Sequence, residues 1–344
     1  MNVVAHGVIR KMKTRLEAPV AYELPIGDSS IAMNPLLGSK IALKFTGQIN
    51  CVNCGRHTNK SFNQGYCYPC FQSLAQCDSC IIHPERCHFD LGTCREPQWG
   101  EKYCMQDHII YLANSSGVKV GITRATQVPT RWIDQGAVQA LAIARVRTRL
   151  QSGSLEVIFK QHVADKTNWR DMLKGSNHHT DLHAERDRLI GECQKDIDDL
   201  VQRFGFHAVS ILNGIEPVQI EYPVLEYPVK VTSFNFDKDP LVEGTLMGIK
   251  GQYLIFDTRV INMPRFGGYN IEPEAYAREF AALIEAGLSP MAAIQAGTSV
   301  SADLLQWSDR VGRIQSGLFA DLIAVPGNPL EDISVLEAPS FVMM

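Results

Sequence analysis

Residues 108–137 read HIIYLANSSGVKVGITRATQVPTRWIDQGA, and the order of elements within them decides the fold. Ile109-Ile110-Tyr111-Leu112-Ala113 is apolar and rich in strand formers. Asn114-Ser115-Ser116-Gly117 is a cluster of turn residues, and Val118 to Thr123 is a second strand. Pro129 then precedes a helical start that carries Arg131, Trp132 and Asp134 in its first turn. The next segment, LAIARVRTRL, is compatible with strand or helix, and Gly153 and Glu156 follow it. The expected order is therefore strand, tight turn, strand, helix.

Just upstream, nine of the ten cysteines fall between Cys51 and Cys104. In CVNCGRHTNKSFNQGYCYPC two CxxC pairs, Cys51/Cys54 and Cys67/Cys70, stand twelve residues apart. Each pair turns two thiolates toward one point, and two such knuckles complete a tetrahedral structural zinc site. Gly55 and Gly65 sit where the knuckle turns need positive φ. Further ligands follow in CDSCIIHPERCHFDLGTCREPQWGEKYCMQDH, namely Cys77, Cys80, His83, Cys87, His88, Cys94, Cys104 and His108. A second zinc needs only four of them. Cys77 and Cys80 form a third knuckle, and Cys94 and Cys104 are expected to complete the site, with Cys87 or His88 as replacements. Closed sites of this kind supply folding energy rather than chemistry, so both zinc ions are expected to be structural. Arg56, His57, Lys60, Phe62, Tyr66, Tyr68 and Phe71 lie among the ligands. Basic groups interleaved with aromatics suit phosphate contact and base stacking, and also suit packing around a small metal core.

The chain has 344 residues, 45% of them apolar and 20% charged, which is ordinary composition for a water-soluble protein of two or three domains. No apolar run approaches the ~20 residues needed to span a bilayer, and the N-terminus is charged where a signal peptide is apolar. A cytoplasmic protein without a membrane partner is expected. The net charge of −4 is uneven: from Glu272 onward there are ten acidic residues, three Arg and no Lys, which leaves the preceding residues at +3. All Cys and His also precede that point, so the tail is expected to have a separate origin. Oligomeric state cannot be read from the chain.

The strand pair ending in IIY and KVGIT, with an Arg on the next helix and a later Glu, resembles the GIY-YIG nuclease module. That resemblance implies the strand tyrosine at Tyr111, the motif glycine at Gly121, a phosphate-side arginine at Arg131 and a ligand for Mg²⁺ or Mn²⁺ at Glu156. Val120 stands where the family usually has Tyr, Ile109 replaces the first glycine, and the motif halves are closer than usual. Over residues 1 to about 270, phrases such as CVNCGR, GYCYPCF, GTCREPQWGEKYC, YLANSSGVKVGITR and DKTNWRDML resemble an uncharacterised bacterial family, a domain of unknown function. The tail is similar to the C-terminal end of imidazolonepropionase-like amidohydrolases, through EAGLSPMAAIQAGTSV, WSDRVGRI and ADLIAVPGNPLEDISVLE. It lacks any His or Cys, and a complete (β/α)8 barrel needs about 250 residues, so no amidohydrolase activity is expected of it. Its apolar face (Phe280, Leu283, Ile284, Leu288, Met291, Ile294) is expected to pack on the body or to self-associate.

The expected fold class is α+β. Strands in 1–50 and 206–270 flank a cysteine-rich module at 51–105 and a GIY-YIG-like unit at 106–205, with the truncated tail at 271–344. Smaller features are weighed as structure first. Asn168 and Asp165 in DKTNWRDML suit a helix cap or support for a metal near Glu156. His178, His179 and His183 suit a solvated helix start. Residues 181–204 read as one amphipathic helix with Cys193 in its core face, and Gly248, Lys250 and Gly251 as a hairpin turn. The expected function is a zinc-stabilised nucleic-acid-binding protein with a GIY-YIG-like phosphodiester hydrolase centre. The alternative is a non-catalytic zinc-ribbon module that holds nucleic acid or protein.

Overall fold

In the computed structural model, the described residues are 2–3, 6–175, 179–275, 280, 283–284, 286–319, 322–325, 327–337 and 341–343. His178 lies outside them, as do 276–279, within the tail's start. Strands and helices are numbered in chain order. β7 (His108–Asn114) is buried at every residue because both faces of its sheet are covered. Side chains alternate across a strand, so the middle of a doubly covered strand must be apolar on both faces, and Ile109–Ala113 (IIYLA) is. β7 pairs antiparallel with β8 (Val118–Arg124), Tyr111 facing Gly121, and on its other edge with β9 (Gln139–Val146). The β7–β9 register shifts at Ile110/Tyr111. β10 (Val209–Ile211) and β11 (Val218–Gln219) both pair with β9, giving the order β10-β9-β7-β8.

The ambiguous LAIARVRTRL is strand, then helix. β9 ends at Val146 and α4 (Arg149–Phe159) begins behind Thr148, whose hydroxyl accepts from the Gln151 amide while the Gln151 side chain returns to the Thr148 amide. Such a capping box satisfies two orphan amides and is worth about 1 kcal/mol. Before it come α1 (Tyr68–Ser73), α2 (Pro97–Cys104) and α3 (Thr130–Asp134). After it come α5 (Trp169–Leu173), α6 (Leu182–Glu192) and α7 (Gln194–Phe204). Residues 181–204 are thus two helices, not one. Gly191, a weak helix former, precedes the break, and Cys193 leaves helical geometry at φ −100° and ψ 8°. Leu155, Phe159, Leu182, Leu189, Cys193, Ile197 and Leu200 join Ile110, Leu112, Val120, Leu141 and Ile143 in the core on one face of the sheet. Cys193 is the core residue that its periodicity suggests.

Ile109, Tyr111, Ala113 and Ala140 point to the other face and enter a second core with Trp132, Tyr222 and the strands of a larger sheet. That sheet contains β1 (Asn2–Val3), β2 (Gly7–Val8), β6 (Lys40–Ile49), β12 (Leu241–Lys250), β13 (Tyr253–Phe256), β14 (Val260–Asn262) and β15 (Tyr269–Ala275). Its order is β1-β15-β6-β12-β13-β14, with β2 also on β15, so strands from both ends of the body share it. β15 runs to Ala275, beyond residue 270 where the body was expected to end. A separate antiparallel sheet holds β3 (Lys13–Arg15), β4 (Ala21–Ile26) and β5 (Ser29–Ala32). The architecture is α+β, and no barrel is seen among the described residues.

In the tail, α8 (Pro290–Gln295) and α9 (Ser301–Leu304) flank a wide turn, and β16 (Leu322–Ala324) pairs with β17 (Phe341–Met343). A Cβ on Gly297 would lie 2.7 Å from the Phe280 ring, so part of the expected apolar face is covered within the tail itself. Leu304, Ile314 and Phe319 remain largely exposed.

Gly153 on α4 has the closest approach of the fold: an added Cβ would lie 2.1 Å from the Glu85 amide nitrogen. Gly191 on α6 has nothing within 4 Å. Gly153→Ala is expected to cost more than about 2 kcal/mol, and Gly191→Ala to add up to about 1 kcal/mol. Parallel urea titrations check this, and equal midpoints for the two variants would contradict the packing.

Candidate functional site

The first knuckle pair folds as its spacing requires. The sulfurs of Cys51, Cys54, Cys67 and Cys70 all lie within 4.8 Å of one another, with Cys51, Cys67 and Cys70 buried and Cys54 exposed. Gly55 and Gly65 take φ of 73° and 137°, the positive values anticipated for the turns. Cys54 and Cys67 Sγ are 3.7 Å apart. A tetrahedron of sulfurs with zinc–sulfur bonds of about 2.3 Å has edges of about 3.8 Å, so the donor set fits zinc. The Asn53 amide donates to Cys70 Sγ over 3.5 Å. Burial pushes the Cys51 thiol up, but the amides of Cys54, Cys67 and Asn53 outweigh it and bring it down to about 6. These are the features of a four-cysteine group that could hold a zinc ion.

The second set departs from expectation at one ligand. Cys80, Cys94 and Cys104 line one cavity, and Cys87 lines it with them, but Cys77 does not. Cys77 closes the turn Ala75–Cys77, Asp78 is extended at ψ 153°, and Cys80 lies in the following turn Ser79–Ile81. Cys77 meets the Asn63 side chain instead. His83 and His108 lie outside the cavity lining, whereas His88 is part of it.

Around β7 and β8 the four residues named by the nuclease resemblance are brought near one another. Tyr111 is fully buried, its ring set edge-on to Trp132 at 5.9 Å, and its hydroxyl donates to Gln135 Oε1 over 2.8 Å. A Cβ at Gly121 would lie 2.6 Å from that hydroxyl, which is why position 121 must be glycine. Burial pushes Tyr111 up to about 12; Arg131 opposes this, and the charge of Glu156 adds to it. Arg131 is exposed on α3, and Glu156 is half-buried on α4. Burial also raises the Glu156 carboxyl above its ordinary value, with Lys160 lowering it and Asp165 raising it.

Lys119 is the functional candidate that sequence reasoning missed. It is 4% exposed, and burial, with Arg131, brings it down to about 8 against the pull of Asp165 and Glu156. The Val120 amide donates to the Ala164 carbonyl over 2.8 Å, which brings Asp165 beside this strand. A signal was present: residues 119 and 121 alternate onto the face opposite Val118 and Val120, the face that Tyr111 shares across the register.

Other features resolve as structure. Asn168 caps α5 by accepting from the Arg170 and Asp171 amides. Trp169 stacks on Tyr253 at 5.7 Å, and His179 Nδ1 pairs with the Gln139 side chain at 2.9 Å. Lys250 closes the expected hairpin, opposite Tyr253, and is fully buried, its ammonium 5.5 and 5.2 Å from the rings of Tyr222 and Tyr227. Among the described residues, no helix is long and apolar enough to cross a membrane.

The fold and the cysteine group together define an α+β protein with a candidate metal-binding centre. The chain belongs to the family described as Protein of unknown function (DUF2797), whose pattern matches residues 38–271. Among curated proteins nothing matches. Among solved structures, the crystal structure of a Xaa-Pro dipeptidase with bound methionine in the active site is 52% identical, over 19% of this chain and 16% of its own, with a TM-score of 0.19. So partial a likeness assigns neither fold nor activity.

Two outcomes follow. Chelation of zinc from Cys51, Cys54, Cys67 and Cys70 is expected to lower the melting temperature by several degrees, restored by added Zn²⁺; an unchanged melt would contradict a structural role. Lys119 and Lys250 are each brought down to about 8 by burial. Between there and the ordinary lysine value the unfolded chain binds more protons than the folded one, so stability rises as pH climbs through that window. The rise is up to about 3 kcal/mol per lysine. It is expected to shrink in Lys250→Met, as measured by denaturant midpoints from pH 7.5 to 10.

Proposed function

We propose that this protein is a zinc-stabilised nucleic-acid-binding protein with a GIY-YIG-like phosphodiester hydrolase centre on β7, β8, α3 and α4. The observation that carries this reading is the electrostatic coupling of Tyr111, Lys119, Arg131 and Glu156 around Gly121. Two cations and two carboxylates, Glu156 and Asp165, within reach of one another suit a phosphodiester and the ion that accompanies it. Arg131, exposed, clamps a nonbridging phosphate oxygen. Lys119 offsets the charge that grows on the phosphorane. Glu156, with Asp165 beside it, offers hard oxygen donors of the kind Mg²⁺ or Mn²⁺ takes, and such an ion supplies Lewis acidity and a more acidic water. Tyr111, fully buried and pushed up to about 12, keeps its proton at neutral pH. Its part is to hold Gln135 and the glycine strand in place.

Lys60 sits 5.2 Å over the Phe62 ring, which packs against Tyr68 and Phe71, and Tyr68 is half exposed. That cluster supports base stacking beside the first cysteine group. The full burial of Tyr111 favours a second reading, a non-catalytic module that holds nucleic acid without cutting it.

The test incubates full-length protein with labelled single- and double-stranded DNA and RNA in Mg²⁺ or Mn²⁺. Cleavage is expected, and Arg131→Ala and Glu156→Ala are each expected to slow it about 100-fold or more, with melting temperature unchanged. Binding without cleavage under every condition would select the second reading. Neither binding nor cleavage would remove both.

A further inference from the structure

We propose that Cys80, Cys87, Cys94 and Cys104 form a second tetrahedral zinc centre, which fastens the cysteine-rich segment to the first turn of α4. All four line one cavity of about 10 Å³, the size of one water and ample for a metal ion. Cys80 and Cys104 are buried, and Cys87 and Cys94 are half-buried. Cys87 lies beside both Cys80 and Cys104, and the Cys94 thiol, which donates to the Glu96 carbonyl over 3.5 Å, lines the same cavity. Gly100 on α2 leaves room for the remaining sulfur, because a Cβ there would come within 3.0 Å of Cys94 Sγ. Four soft donors around one small cavity are what a closed zinc site is built from.

The surroundings fit the charge of that group. Four thiolates around Zn²⁺ carry a net −2, which needs nearby donors and cations. Arg149, the first residue of α4, donates to the carbonyls of Cys80 and Ile81 over 3.1 and 2.8 Å and acts on Cys80, Cys87 and Cys104 through its charge. One turn further on, Gly153 allows the Pro84–Glu85 backbone, between Cys80 and Cys87, to rest directly on α4. The centre thereby closes a loop around the helix start.

A competing set is present. Donor atoms of Asp78, Cys80 and His88 lie within 4.8 Å of one another. Asp78, however, accepts from the Cys80 amide over 3.2 Å and pairs with Arg95 Nε at 2.7 Å, while His88 Nδ1 pairs with Thr93 Oγ1 at 2.8 Å. Both are engaged by these partners, and His88 Nε2 lies 3.6 Å from Asp78. Cys77 has no part in either set.

The test is zinc content by mass spectrometry of full-length protein purified without chelator. Wild type is expected to carry about two zinc ions per chain. Cys87→Ser and Cys104→Ser are expected to lose one, while Cys77→Ser, Asp78→Asn and His88→Gln keep both. About one zinc in wild type, or loss of one in Cys77→Ser, Asp78→Asn or His88→Gln, would overturn the assignment, as would two retained in Cys87→Ser. Should the ligand variants fail to fold, Co²⁺-substituted wild type decides: bands of two all-sulfur tetrahedral centres support it, and bands of one overturn it.

Discussion

Everything in this molecule depends on β7 being covered on both faces. Ile110 and Leu112 enter the core beneath α4, α6 and α7, while Ile109, Tyr111 and Ala113 enter the core shared with the larger sheet. Burying side chains of this size contributes about 1.5–3 kcal/mol each, so one short strand joins two hydrophobic cores. Because the strand lies inside, a polar residue on either face would need a partner. Tyr111 meets that need through Gln135, at the point where the β7–β9 register shifts.

The cysteine-rich segment is poor in apolar residues and is built from short turns, so its own burial supplies little stability. Its buried cysteines with Tyr66 and Leu74 form only a minor cluster. Closed metal centres supply what such small cores lack, and Cys51, Cys54, Cys67 and Cys70 could hold one. The segment docks on the rest of the protein where Gly153 admits backbone to backbone, and the same helix carries Glu156 one turn later. The docking glycine and Glu156 therefore share one helix.

Around Gly121 the fold accepts an electrostatic cost. Lys119 is shifted toward its neutral form, and Tyr111 and Glu156 are held above their ordinary values, each chiefly by burial. Stability alone would be served by apolar residues at such positions.

Much of this was legible in the chain itself. Turn residues and apolar runs marked β7, β8 and their turn, since those signals are local. The spacing of Cys51, Cys54, Cys67 and Cys70 marked a four-thiol group, because two short knuckles leave few ways to arrange four thiols. Local spacing pairs Cys77 with Cys80, yet Cys77 stays outside the cavity that Cys80 lines. Strand alternation sets Lys119 on the face of Tyr111 but says nothing of its burial, which arises when the loop at Ala164 joins β8. Nor could periodicity show that 181–204 breaks at Cys193, since both halves serve the same core. Sequence by itself determined which residues could make strands, turns and ligands, for those properties belong to neighbours a few residues apart. Only tertiary structure decided which charges share a face and which cysteines share a cavity, because those groups meet across long stretches of chain.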